Sequence, residues 1–395
     1  MGNKPENHSW PWGEKGIGGK GRAPENQRTR RLKESNETRH HVSRLTFCVA
    51  CFALIGLISG LFGFPILVAQ VEQPDEIWEE EDLDSLFEPS YLGYDDIIRE
   101  FKRKKCKTCH PVIWREWEKS LHGQSWNDPI FQEAASKIPD REESCDPCHA
   151  PDPILITGIG KMPKLREADR KYGVSCLVCH MDAQGGMHGP PAGMDALFHA
   201  NVTSEAHMNP TELCGTCHGQ PSVPEHNQLA SFKDSPAAAA GKNCATCHMP
   251  GIKRLPSTRN FEPMPGRRHT WIGSRSVHQL KKSVDLQIVL MEGNAMIRVT
   301  NKAGHLLPGE ALRTIILDVK ISDANGGVAR TAQVSISASS GEDGADNRIP
   351  PGETREFVHE IAPRETIEVK LRYQLLPTTP AAEWITMAEV SQAVP

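Results

Sequence analysis

The chain has 395 residues and a formal net charge of −5, with 38% hydrophobic and 24% charged residues. That length accommodates two or three domains. The near-neutral balance excludes the strongly basic surface that phosphate-backbone binding demands, so no nucleic-acid partner is expected.

The charge is uneven along the chain. Residues 1–44 carry ten Lys/Arg against five Glu and have few apolar positions, so a disordered cytoplasmic tail is expected. Residues 45–69 (LTFCVACFALIGLISGLFGFPILVA) hold no charge over 25 positions, and a membrane-spanning helix needs about 20 apolar residues. Basic flanks stay in the cytoplasm. The expectation is a single N-terminal transmembrane helix in the inner (cytoplasmic) membrane, with everything after it in the periplasm. A cleaved signal peptide ending near Ala69 is the alternative, although its apolar region usually spans only about 7–15 residues. Cys48 and Cys51 read as small apolar side chains in lipid. Residues 71–100 carry twelve Asp/Glu and one basic residue, Arg99. Residues 70–100 therefore read as a solvated acidic spacer.

Next, the pattern Cys-x-x-Cys-His occurs five times: Cys106, Cys109 and His110; Cys145, Cys148 and His149; Cys176, Cys179 and His180; Cys214, Cys217 and His218; Cys244, Cys247 and His248. This is the attachment signal of a c-type haem. Two thiols bond to the macrocycle and the adjacent His holds the iron from one side. Ten of the twelve cysteines lie in these copies, which no lone redox dithiol explains. Zinc sites use two Cys pairs, or one pair with His residues three to five apart, and five uniform copies do not fit that spacing. Five covalently bound c-type haems are expected, within a domain over residues 101–280.

This domain is rich in Gly, Pro and polar residues. Its side chains alone bury too little apolar surface to offset chain entropy. The macrocycles then supply the interior, giving a mainly-α or irregular pentahaem domain with a haem-filled core. One helix is predicted after the first motif, where Ile113, Trp117 and Leu121 recur at spacing four. A second is predicted over Lys164–Tyr172.

Nine further His follow the tail. Five are candidates for the second axial position. His122 closes the first helix, and His188 sits in the Gly-rich loop GGMHGPP. His207 lies shortly before the fourth motif. His269 follows Arg267 and Arg268, whose charges suit haem propionates, and His305 lies in NKAGHLLPG. His226 and His278 are reserves, whereas His199 and His359 read as ordinary surface histidines. Methionines read as packing.

From about Ser283 the pattern changes to strands. Val284, Leu286 and Ile288 alternate, as do Ile297 and Val299 against Met296, Arg298 and Thr300. Ile315 to Ile321, Val334 to Ser337, and Ile367, Val369, Leu371 and Tyr373 continue the alternation, with a turn at Asn325-Gly326-Gly327. Six or seven strands over residues 283–390 predict an immunoglobulin-like β-sandwich that packs or docks, with His305 on a loop able to reach a haem. Residues 339–351 are predicted to be a mobile loop.

These segments resemble the multihaem cytochromes of the cytochrome c-554 type. The resemblance rests on CKTCHPVIWREWEKSLHG, CDPCHAPDP, GVSCLVCH with a His eight residues on, and CATCHMP with a later Arg-Arg-His. It spans roughly residues 100–380. It implies His122 and His188 as distal ligands. The segment NKAGHLLPG, with Arg313 and the β-rich tail, looks like the C-terminal extension of several such proteins. The namesake binds four haems; this chain has five motifs.

The leading expectation is electron transfer between redox partner proteins, a membrane donor and a periplasmic acceptor. The alternative is a multihaem oxidoreductase acting on a small nitrogen or sulfur compound at an open iron. Pentahaem nitrite reductases use a Lys in place of one motif His, and here all five motifs end in His. Hydroxylamine oxidoreductases depend on a haem-linked tyrosine, and nothing marks out Tyr91, Tyr94, Tyr172 or Tyr373. A third reading is a membrane-tethered assembly subunit whose sandwich grips a larger complex.

Overall fold

The computed structural model describes residues 91–191, 196–220 and 227–395, all within the compact unit Phe87–Pro395. The tail expected over 1–44, the anchor over 45–69 and most of the acidic spacer lie outside the described residues. Among the described residues no helix is long and apolar enough to cross a membrane.

The end of the expected spacer is not a solvated coil. Tyr94–Lys102 is a helix that buries Ile97 and Phe101, spaced to share one face. Asp95 and Asp96 in its first turn and Arg99 and Lys102 in its last complement the helix dipole.

Short helices follow, and each attachment motif lies on or directly caps one. Lys105–Cys109, Asp146–His149, Cys176–His180, Thr211–His218 and Cys244–His248 carry the five in order. Turns of this kind bring both thiols and the following imidazole to one side. The helix after the first motif is Pro111–Glu118, started by a proline that needs no intrahelical N–H partner. Its buried face is Trp114 and Trp117, while Leu121 beyond it is exposed. The predicted Ile113–Trp117–Leu121 stripe is therefore out of phase: Trp114 and Trp117 pack on Phe101 at 5.5 and 5.8 Å between ring centres, and aromatic burial sets the rotation.

The helix predicted over Lys164–Tyr172 reduces to one turn, Arg170–Tyr172. Asp169 adopts a left-handed φ of 57°, and the Arg166 guanidinium donates to the carbonyls of Pro151, Asp169 and Gly173. Those bonds hold the segment as a loop. Apolar clusters in this part are small. One gathers Ile97, Phe101, Trp114, Trp117, Leu177 and Met181 around Cys106 and Cys176, and another gathers Ile154, Val174, Val178 and Leu213 around Cys179 and Cys217. Two two-stranded ribbons complete it: β1 (Met187–Gly189) beside β2 (Asn201–Thr203), and β3 (Gly251–Arg254) beside β4 (Met264–Arg267).

After the helix Val277–Lys282 the chain is β-rich. The strands are β5 (Val284–Met291), β6 (Asn294–Asn301), β7 (Thr314–Ser322), β8 (Val328–Ile336), β9 (Thr354–Glu360), β10 (Thr366–Gln374) and β11 (Ile385–Ala393). They form a three-stranded sheet, β5-β6-β9, and a four-stranded sheet, β11-β10-β7-β8. Inward residues of both sheets share one core, including Ala295, Ile297, Val299, Leu317, Val369 and Leu371.

The strand division departs from the immunoglobulin constant type, whose fourth strand pairs with the fifth. Here β8 stays beside β7. The turn between them allows no crossover, with Gly326 at φ 84° and Asp323 bonded to Gly327 at 2.8 Å. The loop 339–351 is pinned rather than loose. The Asn347 side chain accepts from Ser337 N–H at 2.8 Å and donates to the Ser335 carbonyl at 3.0 Å, and Ile349 is fully buried.

Candidate haem-binding site

Four of the five motif histidines share one orientation. Nδ1 of His110 meets the Pro256 carbonyl at 2.8 Å, and His149 meets that of Ser125 at 3.0 Å. His180 meets the His188 carbonyl and His248 that of Ile272, both at 2.6 Å. An imidazole that donates Nδ1–H to a carbonyl is fixed in the tautomer whose bare Nε2 binds a metal.

Two imidazoles that each reach one metal ion at about 2 Å hold their ring centres roughly 6 Å apart. Four motif histidines face a second imidazole at that separation. His110 faces His199 at 6.4 Å, and His218 faces His122 at 6.3 Å. His180 faces His269 at 6.3 Å, and His248 faces His305 at 6.2 Å. The fifth, His149, is stacked on Phe131 with ring centres 3.6 Å apart and planes 6° from parallel.

Burial favours the neutral form, the one that ligates metal, in six of these rings. It pushes His122 down to about 3 and His269 down to about 4. It is also the first cause of the lowered values of His180, His199, His248 and His305. Nδ1 of His122 and of His199 is buried without a hydrogen-bond partner. Such an orphaned atom costs about 1–3 kcal/mol unless something satisfies it.

Burial likewise raises the thiols of Cys106 and Cys179 to about 11, and that of Cys176 further. Zinc needs thiolates. Among the described residues no three His, Cys, Asp or Glu side chains converge on a metal-sized point. The residues therefore fit covalent haem better than structural zinc.

Of the candidates, His122, His269 and His305 stand opposite motif histidines, and His199, read as a surface residue, joins them. Nothing in its spacing signals this. Its position comes from the strand β2 beside β1 and from the Leu92 N–H bonding the Phe198 carbonyl at 3.0 Å. His188 and His207 are not opposed to a motif ring. His188 Nε2 meets Asp182 Oδ2 at 2.9 Å. His207 Nε2 meets the Cys179 carbonyl at 2.9 Å, and its ring lies 4.8 Å from His180, too close for an ion between. His278 is exposed on its helix and His359 is half-buried on β9. His226 lies outside the described residues.

His305 comes from the loop between β6 and β7. The Asn301 side chain donates to the His305 and Ile349 carbonyls, both at 2.8 Å, and so staples that loop. Nδ1 of His305 meets the Leu306 carbonyl at 2.8 Å. A Cβ on Gly309 would lie 2.9 Å from His305 Cε1 and 3.1 Å from Nδ1. Gly309→Ala is expected to turn that ring out of line with His248 and shift one low-spin iron signal, with the haem count unchanged. Electron paramagnetic resonance of the matured protein checks this, and an unaltered spectrum would show that Gly309 does not cradle the ring.

Comparisons with known proteins agree with this chemistry. Residues 105–181 match the family described as cytochrome c554 and c-prime. A solved penta-heme cytochrome c552 from Thermochromatium tepidum is similar at 20% identity and a TM-score of 0.52, over 74% of this chain and 98% of that one. At that identity the likeness concerns the fold. A β-glucuronidase 2 variant from Bacteroides uniformis aligns with 28% of this chain and 13% of its own at a TM-score of 0.17, which carries no argument. No curated protein matches the sequence. Because the family match covers three of the five attachment motifs whole and the shared fold extends well beyond it, the chain is a multihaem c-type cytochrome.

Proposed function

We propose that this cytochrome carries five covalent haems and moves electrons between a donor in the inner membrane and an acceptor in the periplasm, tethered by residues 45–69. The four opposed imidazole pairs are the observation that carries this reading. Haem iron supplies one-electron exchange when bound. The protein's part is to hold an imidazole on each side, neutral and oriented. That arrangement leaves no room for a substrate on those faces and favours a low potential. In this reading His199, His122, His269 and His305 are the second ligands opposite His110, His218, His180 and His248.

The count of five rests on the five motifs, and the similar solved protein is itself described as penta-heme. The anchor rests on the uncharged run of 25 residues and its basic flank.

The test is to express the full chain in a host that attaches c-type haem. Intact mass should show five haems, the reduced spectrum should be dominated by low-spin iron insensitive to CO, and the protein should leave the membrane fraction only with detergent. A dominant high-spin band that shifts with CO or nitrite would overturn electron transfer in favour of an oxidoreductase. Release by salt alone would overturn the anchor.

A further inference from the structure

Four consecutive residues, 269 to 272, touch three of the five attachment sites. The His269 ring faces His180 at 6.3 Å. The Ile272 carbonyl accepts from His248 Nδ1 at 2.6 Å, and its N–H donates to the His248 carbonyl at 3.1 Å. Between them, the Trp271 indole lies edge-on to two imidazoles that serve different motifs. Its ring centre is 5.3 Å from His269 at 89° and 4.6 Å from His122 at 72°, and His122 faces His218.

The backbone directs the indole there at a cost. Trp271 sits at φ 41°, a left-handed conformation that is an outlier for a bulky residue. Strain of this kind persists only where the surroundings over-determine it, and it clusters at functional sites. The surroundings are visible on both sides. The His269 N–H donates to Glu116 Oε2 at 2.9 Å, and Arg254 holds that carboxylate at 2.7 Å. On the far side, the two bonds to His248 clamp Ile272. Released from φ 41°, the indole would leave the gap between the two rings.

We propose that Trp271 is a positioning residue that fixes the ring planes of His122 and His269 together, and so couples the sites of the third and fourth motifs. It forms no bond to either group and changes no oxidation state. Edge-to-face aromatic pairs have a preferred geometry, so one indole wedged against two imidazoles ties the rotation of each to the other. His218, His122, Trp271, His269 and His180 then form one unbroken run of rings. The inference rests on His122 and His269 being ligands, as assigned above.

The experiment uses the matured full chain with Trp271→Ala and Trp271→Phe. In the alanine variant two low-spin electron paramagnetic resonance signals should shift while the others stay in place, with the covalent haem count unchanged. The phenylalanine variant, which keeps an aromatic edge, should return at least one signal towards its original position. If alanine prevents maturation, the phenylalanine variant decides alone by whether a subset of signals moves. Spectra identical to the parent, or a uniform shift of every signal, would overturn the positioning role. A parent protein without low-spin signals would instead overturn the ligand assignment on which the inference stands.

Discussion

Replacing His122 with alanine is expected to convert one iron from six-coordinate low spin to five-coordinate high spin, while mass spectrometry still registers every attached haem. In the proposed ligation, attachment at the fourth motif depends on Cys214 and Cys217, and the near-side ligand is His218. None of these is altered by the substitution. What is lost is the imidazole 6.3 Å across from His218. His122 is the strongest case among the four partners. Burial first, and then the nearby His218, His149 and His248, hold it neutral down to about pH 3. Optical and resonance spectra of the variant read the change directly. If all low-spin signals survive, His122 is a packing residue and the assignment of its iron is wrong.

The attachment chemistry was legible in the sequence because it depends on local spacing: a thiol, two residues, a thiol and an imidazole need only one helical turn. The second ligands depend on tertiary contacts, and there the sequence informs unevenly. His122 and His305 sit where a helix end and a structured loop limit the chain, and both arrive opposite a motif ring. At His188 the loop brings its backbone, rather than its ring, to a motif histidine. The Gly-rich segment does fold onto His180, but it offers its backbone carbonyl to Nδ1 at 2.6 Å, while its own ring turns to Asp182. His199 is invisible from spacing because β2 brings it in from the side. In the sandwich, alternation made β6 and β10 readable, and the run of β-branched and apolar residues did the same for β7. β9 and β11 escaped because they place few large apolar residues inward, Met387 being the main one on β11. The pairing of β8 with β7 follows from the tight turn at Asn325-Gly326-Gly327, which the residue pattern already marks.

Leu317→Ala should be the most damaging substitution in the β-rich part, costing about 2–5 kcal/mol through lost transfer energy and the cavity left behind. Leu317 is fully buried on β7, an interior strand paired on one side with Val334 of β8 and on the other with Leu371 of β10. Its neighbours in the shared core come from both sheets, so no single flexible side chain can fill the space. Hydrogen exchange of the intact, haem-loaded protein is the measurement. Amides of β7 and β10 should lose protection by at least about thirtyfold, since 1.4 kcal/mol is a factor of ten. The consequence for the site follows from connectivity. The loop bearing His305 runs from β6 into β7, and Asn301 pins it to Ile349, another fully buried member of the same core. Loosening the core should therefore broaden the signal of the His248–His305 iron and leave that of His110–His199 unchanged, because the latter draws on no strand of the sandwich. Unchanged protection in β7, or equal disturbance of both irons, would show that the sandwich does not act as the scaffold of His305.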